Sequence, residues 1–284
     1  MDPLAARDIF LVRDRSGLRP GRFLDAAVIA RHCARTNAPP MLVCMATYRA
    51  RRREGGSIAA GLAAARIRFM GTDGIRGRTA DGPVTGAGLD AVRLFQRQGV
   101  ITPGLAHLLG RAFALQAGGG TVVAGEDGRD RCQGGRLYAA LVRGLAAGGL
   151  DVYDTGVIPT PAVPWSMAVR GIRAGVVLTA SHNPANQNGV KFFLDGRKLL
   201  PDGPAGDFAL SARMFRLAAG RGRPVPRAGR VQAAARAARV AFIAGIVECI
   251  QGRVRGPLLV DAANGAFSRL VRPVLARVAR PGAW

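Results

Sequence analysis

The sequence predicts an α/β fold. Three observations carry that expectation. Short apolar or β-branched runs alternate with helix-period segments between residues 121 and 178. Polar loops rich in Gly or Asn follow the better-defined strands. A further strand–loop–helix pattern opens near residue 258. Size agrees with this: 284 residues with 49% hydrophobic content suffice for a buried core. No apolar run reaches the roughly 18 residues that a membrane helix needs.

Residues 1–68 show weak periodicity. Residues 23–34 have helical character and 41–48 read as a short strand. Arg49-Ala50-Arg51-Arg52-Arg53 reads as a solvated basic run or a linker. The pattern sharpens after residue 69. Residues 121–124 form a strand that runs into the turn Gly125-Glu126-Asp127-Gly128. Residues 135–150 place Leu137, Leu141, Val142 and Leu145 at helical spacing, and Gly148-Gly149 ends that helix. Residues 151–154 are the next strand. Pro159, Pro161 and Pro164 break the chain before a short helix over 165–170. Residues 175–178 are wholly apolar, which suits a buried parallel strand reached by right-handed crossovers.

The two Gly/Pro-rich stretches at 201–206 and 220–229 read as loops, and 231–250 as helical. Residues 258–261 read as a strand ending at Ala263-Asn264-Gly265, and 267–278 as a helix. The expected division is a basic extension over 1–68, an α/β domain over 69–200, a linker and helical region over 201–240, and an incomplete second domain over 241–284.

Charge narrows the function classes. There are 41 Lys+Arg against 18 Asp+Glu, a net +23. All but Lys191 and Lys198 of these cations are arginines. The excess divides as +8 over 1–68, +5 over 69–200 and +10 over 201–284. Arginines neutralise phosphates, so a basic nucleic-acid binder is one reading. The even richness in Ala, Gly and Arg points instead to compositional bias, and no aromatic platform accompanies the arginines. Four scattered cysteines without a CxxC pair suit free thiols in a reducing compartment. No secretory or transit pattern opens the chain, so a cytoplasmic location is expected. His32, His107 and His182 are too dispersed for a local metal site.

Three loops carry chemistry. In open α/β sheets, ligands collect beyond the carboxyl ends of the strands. Gly71-Thr72-Asp73-Gly74-Ile75-Arg76-Gly77 offers a glycine-lined backbone approach, and Arg76 can fork onto a phosphate. Thr179-Ala180-Ser181-His182-Asn183-Pro184 follows the buried strand, so Ser181 faces the crevice as a nucleophile, a phosphate carrier or a helix cap. No GxSxG elbow surrounds it, which weakens an esterase reading. Asn188-Gly189 reads as a tight turn that brings Lys191 back toward Ser181. Lysine can be tuned to carry a proton, which arginine cannot. Gly86-Ala87-Gly88-Leu89-Asp90-Ala91 fits a GxGxxA fingerprint, but no convincing strand precedes it.

Together these loops resemble the α-D-phosphohexomutase superfamily over residues 68–200, with a weaker continuation to 275. Gly71–Gly77 is similar to its GTDGIRG loop, and Thr179–Pro184 with Asn188–Lys191 to its TASHNP…NGxK serine loop. The resemblance implies a mixed sheet with flanking helices, followed by the truncated start of a similar second domain. It implies a hexose phosphate mutase working through phosphorylated Ser181, most like phosphoglucosamine mutase, with phosphomannomutase/phosphoglucomutase as the alternative.

In that scheme Ser181, His182, Arg76 and Lys191 are catalytic. Gly71, Thr72, Asp73, Gly74, Arg76, Asn183 and Asn188 hold phosphate or substrate. Mg²⁺ sits on the phosphate of Ser181, and a hexose 1,6-bisphosphate is the activator. The family's D-x-D-x-D metal loop has no counterpart in the sequence, so weak or absent turnover is expected. Arg131 and Cys132 also depart from the family pattern G-x-D-x-R-x-S-G. A non-catalytic remnant, or a fragment that associates through an exposed apolar face, is the competing reading.

Overall fold

The computed structural model describes residues 10–14, 17–20, 41–42, 74–79, 88–199, 206–220, 225, 227–250 and 259–279. Phe10–Asp14 (β1), Gly17–Pro20 (β2) and Met41–Leu42 (β3) form a small antiparallel sheet in the order β2-β1-β3. The helix expected over 23–34 and the basic run at 49–53 lie outside the described residues.

The main body follows in chain order. It runs Ile75–Thr79 (β4), Leu89–Gln98 (α1), Val100–Ile101 (β5), Pro103–Ala117 (α2), Thr121–Glu126 (β6), a 3-10 turn over Arg129–Gln133, and Arg136–Ala147 (α3). It continues with Asp151–Val157 (β7), Ala162–Arg170 (α4), Ala174–Leu178 (β8), Gln187–Leu194 (β9), Arg197–Lys198 (β10) and Asp207–Ala218 (α5). Val231–Ala233 (β11), Ala235–Ile250 (α6) and Ser268–Val278 (α7) complete it.

The sheet order is β11-β7-β6-β8-β9-β4-β5, with β10 added on β9. Strands β11, β7, β6 and β8 run parallel, whereas β9 is antiparallel to both β8 and β4. The result is the mixed sheet with flanking helices that the loops imply.

Two cores sandwich the sheet. On one face α1, α2, α3 and α5 bury Leu105, Phe113, Leu141 and Phe215, and Phe113 meets Phe192 of β9 with ring centroids 4.8 Å apart. Helix α2 starts where Thr102 accepts the Leu105 N–H and Pro103 presets the first turn. It lies against α3 backbone to backbone: a Cβ on Gly144 would stand 2.2 Å from the His107 carbonyl oxygen. On the other face α4, α6 and α7 bury Met167, Phe242 and Leu270 over Val123 and Val177.

Three expectations change. The body does not end at residue 200, because Leu210, Met214 and Phe215 of α5 are fully buried in the first core and β11 extends the sheet. Asn188-Gly189 is no turn. Both residues lie inside β9, paired with Gly77 and Arg76, because the strand ladder there outweighs a two-residue turn signal. The strand expected at 258–261 is absent over 259–261, where Leu259 is fully exposed. A strand without a partner ladder leaves its backbone groups to water. Helices α6 and α7 cover this same sheet, and no second sheet opens there among the described residues.

Candidate active-site cleft

The site grows from the carboxyl end of β8. Past Leu178 the chain leaves the sheet, and the Thr179 N–H still donates to the Gly189 carbonyl at 2.8 Å. Ser181 follows, exposed, with a left-handed φ of 58°. Its N–H donates to Thr179 Oγ1 at 2.9 Å, and that hydroxyl donates to Asp127 Oδ2 at 2.7 Å.

Arg129 is the hub of the loop. Its Nε donates to Asp127 Oδ2 at 2.8 Å, and its backbone N–H to Asp127 Oδ1 at 3.1 Å. Its Nη1 donates to the carbonyls of Asn183 (3.2 Å), Gln187 (3.0 Å) and, longer, Pro184 (3.4 Å). Its Nη2 donates to the carbonyl of Ser181. One planar cation thus collects four main-chain acceptors of the serine loop while its charge is balanced by Asp127. Sequence reasoning placed neither residue in the site. The available signal was the Asp-x-Arg spacing directly after β6.

The first glycine-rich loop comes alongside. Arg76 on β4 donates from Nη1 to Asn183 Oδ1 at 3.2 Å, and Asn183 Nδ2 donates to Gln187 Oε1 at 2.7 Å. Gly189 makes this approach geometrically feasible. A Cβ there would stand 2.4 Å from the Ile75 carbonyl oxygen and 2.8 Å from that of Thr179. Gly74, with φ of 100°, sits against the Val190 carbonyl in the same way. Gly71, Thr72 and Asp73 lie outside the described residues.

A cleft of about 840 Å³ opens over the loop. Asp127, Arg129, Arg131, Thr179, Ser181 and Asn183 line one wall, and residues 263–269, leading into α7, line the other. The structure therefore brings Ser181 and Asn183 to the cleft, with Arg76 bonded to Asn183. His182 is exposed beside Ser181. Lys191 is half-buried on β9, paired with Val177, and is not among the lining residues. Asn188 is fully buried, and its Oδ1 accepts the Gly189 N–H.

Glu126 lies beneath this wall. Burial pushes its carboxyl above the ordinary 4.5, against the opposing pull of the hydrogen bond and charge of Arg131, whose Nε donates to Oε1 at 2.9 Å. A raised carboxyl favours the folded state when protonated. That stabilisation is complete below about 4.5 and is lost as pH rises through the folded value. Glu126→Gln is expected to gain stability over the parent as pH climbs from 4 toward 7, read as the difference in melting temperature between the two. A constant difference across that range would refute this assignment.

Comparison with known proteins settles the family. The profile for phosphoglucomutase/phosphomannomutase alpha/beta/alpha domain I matches residues 68–205. Residues 68–205 belong to the phosphoglucomutase/phosphomannomutase family. Beyond domain I, the phosphoglucosamine mutase of Kocuria rhizophila is 36% identical over 202 residues, covering 71% of this chain and 41% of that protein. That of Moorella thermoacetica is 38% identical over 199 residues, covering 67% and 43%. A phosphoglucomutase/phosphomannomutase family protein of Burkholderia thailandensis superposes with a TM-score of 0.53 and 28% identity over 74% of this chain and 42% of its own. The chain thus spans about two-fifths of the length of these relatives.

Family members generally depend on Mg²⁺, a cation that needs hard oxygen ligands. Among the described residues the cleft's only lining carboxylate is Asp127, and both oxygens of that group already accept hydrogen bonds from Arg129 and Thr179. No group of three or more His, Cys, Asp or Glu that could hold a metal exists among the described residues. Mg²⁺ prefers several hard oxygen ligands, and the described cleft does not offer them. No helix among the described residues is long and apolar enough to cross a membrane.

Proposed function

We propose that this domain is the phosphoryl-carrying half of a hexose phosphate mutase, with Ser181 as the carrier and an amino-sugar phosphate as the substrate class. The observation that carries the reading is Ser181 itself. It stands exposed at the carboxyl end of β8, on a loop whose carbonyls are tied to one arginine, and it opens into a cleft of sugar-phosphate size. The relatives' name, phosphoglucosamine mutase, supports the substrate class.

In the proposed half-reaction the bond between Ser181 Oγ and phosphorus breaks, and phosphorus bonds a sugar hydroxyl oxygen. The hydroxyl proton passes to a base, for which Lys191 is the proposed group. The bisphosphorylated sugar then reorients, and its other phosphoryl group returns to Ser181 Oγ. Such transfer depends on positioning and charge neutralisation, which the Asp127–Arg129 clamp and Arg76 support. A hexose 1,6-bisphosphate would load the serine. The free, exposed Cys132 and Cys249 favour a reducing, cytoplasmic setting.

Incubation with glucose 1,6-bisphosphate tests this. Intact mass and peptide mapping should show one phosphate on Ser181, absent from Ser181→Ala. A parent chain that takes up none, or takes it up elsewhere, would overturn the reading.

A further inference from the structure

We propose that Arg131 is a ligand-binding residue of this cleft, gripping a phosphate carried by the sugar and so setting specificity for phosphorylated ligands. The inference rests on the function proposed above and adds to the site a residue that the family pattern lacks, since Arg131-Cys132 stands where that pattern has Ser-Gly.

The other arginines of the loop wall are already engaged. Arg129 gives all three of its side-chain nitrogens to Asp127 and to loop carbonyls. Arg76 reaches Asn183. Arg131 is arranged differently. Its Nε is pinned to Glu126 Oε1, a carboxylate whose side chain is 3% exposed, while the Arg131 side chain is 58% exposed. Its two terminal nitrogens carry no hydrogen bond among the described residues.

The guanidinium is therefore anchored at its inner nitrogen and presents an open fork. Gly156 offers no side chain in the way, since even a Cβ there would stand 3.5 Å from Nη2. A fork held in place before binding loses little freedom on meeting a phosphate, and its planar donor pair matches phosphate oxygens. The field of the cleft agrees. Among the described residues its one lining carboxylate, Asp127, is neutralised by Arg129, and Arg269 adds a cation on the opposite wall. The bond to Glu126 uses Nε alone, so that contact leaves the outward fork unexplained.

The test is calorimetric titration of the full chain with glucose 1,6-bisphosphate, comparing the parent, Arg131→Ala and the double variant E126Q/R131Q. The double variant leaves no unpaired buried charge, so its melting temperature should stay near the parent's and report that the fold is intact. Both variants should bind about tenfold more weakly or worse, the size expected for a charge-assisted contact. Equal affinity in the folded double variant overturns the proposal, as does a parent that does not bind. Arg131-dependent binding without phosphate uptake on Ser181 supports this inference while sinking the phosphoserine reading.

Discussion

Arg129→Ala is expected to cost about 3 kcal/mol of stability and to abolish phosphate uptake on Ser181. The substitution removes more than a charge. Asp127 and Arg129 are each 16% exposed as side chains, so Asp127 would be left largely desolvated with no cation beside it. Four carbonyls of the serine loop would lose their shared donor at once. Losing one partner of a largely buried pair is typically worse than never having built the pair.

Arg129→Lys separates the two roles. An ammonium restores a cation beside Asp127, but as a compact point donor it cannot span carbonyls on both sides of Asn183. This variant should recover much of the stability, measured by urea unfolding, and still fail to load phosphate. If Arg129→Lys loads Ser181 at the parental rate, the loop does not depend on the fork and the positioning argument fails.

How much of this was legible beforehand differs by residue. β8 could be read because Gly175–Leu178 is continuous apolar sequence, the mark of a strand buried on both faces. Its consequence, Ser181 at the crevice, followed from position alone. β9 was half-read. Val190–Leu194 looked like a strand, but Asn188-Gly189 looked like the turn before it. The actual constraint on Gly189 is tertiary: backbone from Ile75 and Thr179 occupies the space a side chain would need. A glycine required by close approach and one required by a turn are identical in sequence.

Helix α5 falls in the linker and helical region expected over 201–240, where the flanking Gly/Pro-rich stretches hide its bounds, yet Leu210, Met214 and Phe215 sit at helical spacing and fill the core. The Arg129 hub was marked in the sequence only by the Asp-x-Arg spacing after β6. Its partners are main-chain carbonyls some fifty residues away, which carry no residue-type signal.

Ser181→Gly should leave stability unchanged, or raise it by up to about 1 kcal/mol, while eliminating phosphate uptake. At φ of 58° an L-residue bears a steric cost that glycine does not, although glycine loses more chain entropy on folding. The serine hydroxyl offers nothing structural in return. Only the Ser181 backbone N–H and carbonyl are bonded, to Thr179 and Arg129, and Oγ has no hydrogen bond among the described residues. Glycine keeps both backbone bonds. Replacing a helix cap or a loop-fixing hydroxyl would instead lower stability by about 1 kcal/mol. The two readings therefore predict different outcomes in the same denaturant titration. A Ser181→Gly chain that unfolds more readily than the parent would make Ser181 a structural residue. One that is as stable or more stable, and carries no phosphate, would show a side chain kept at a conformational cost for its chemistry.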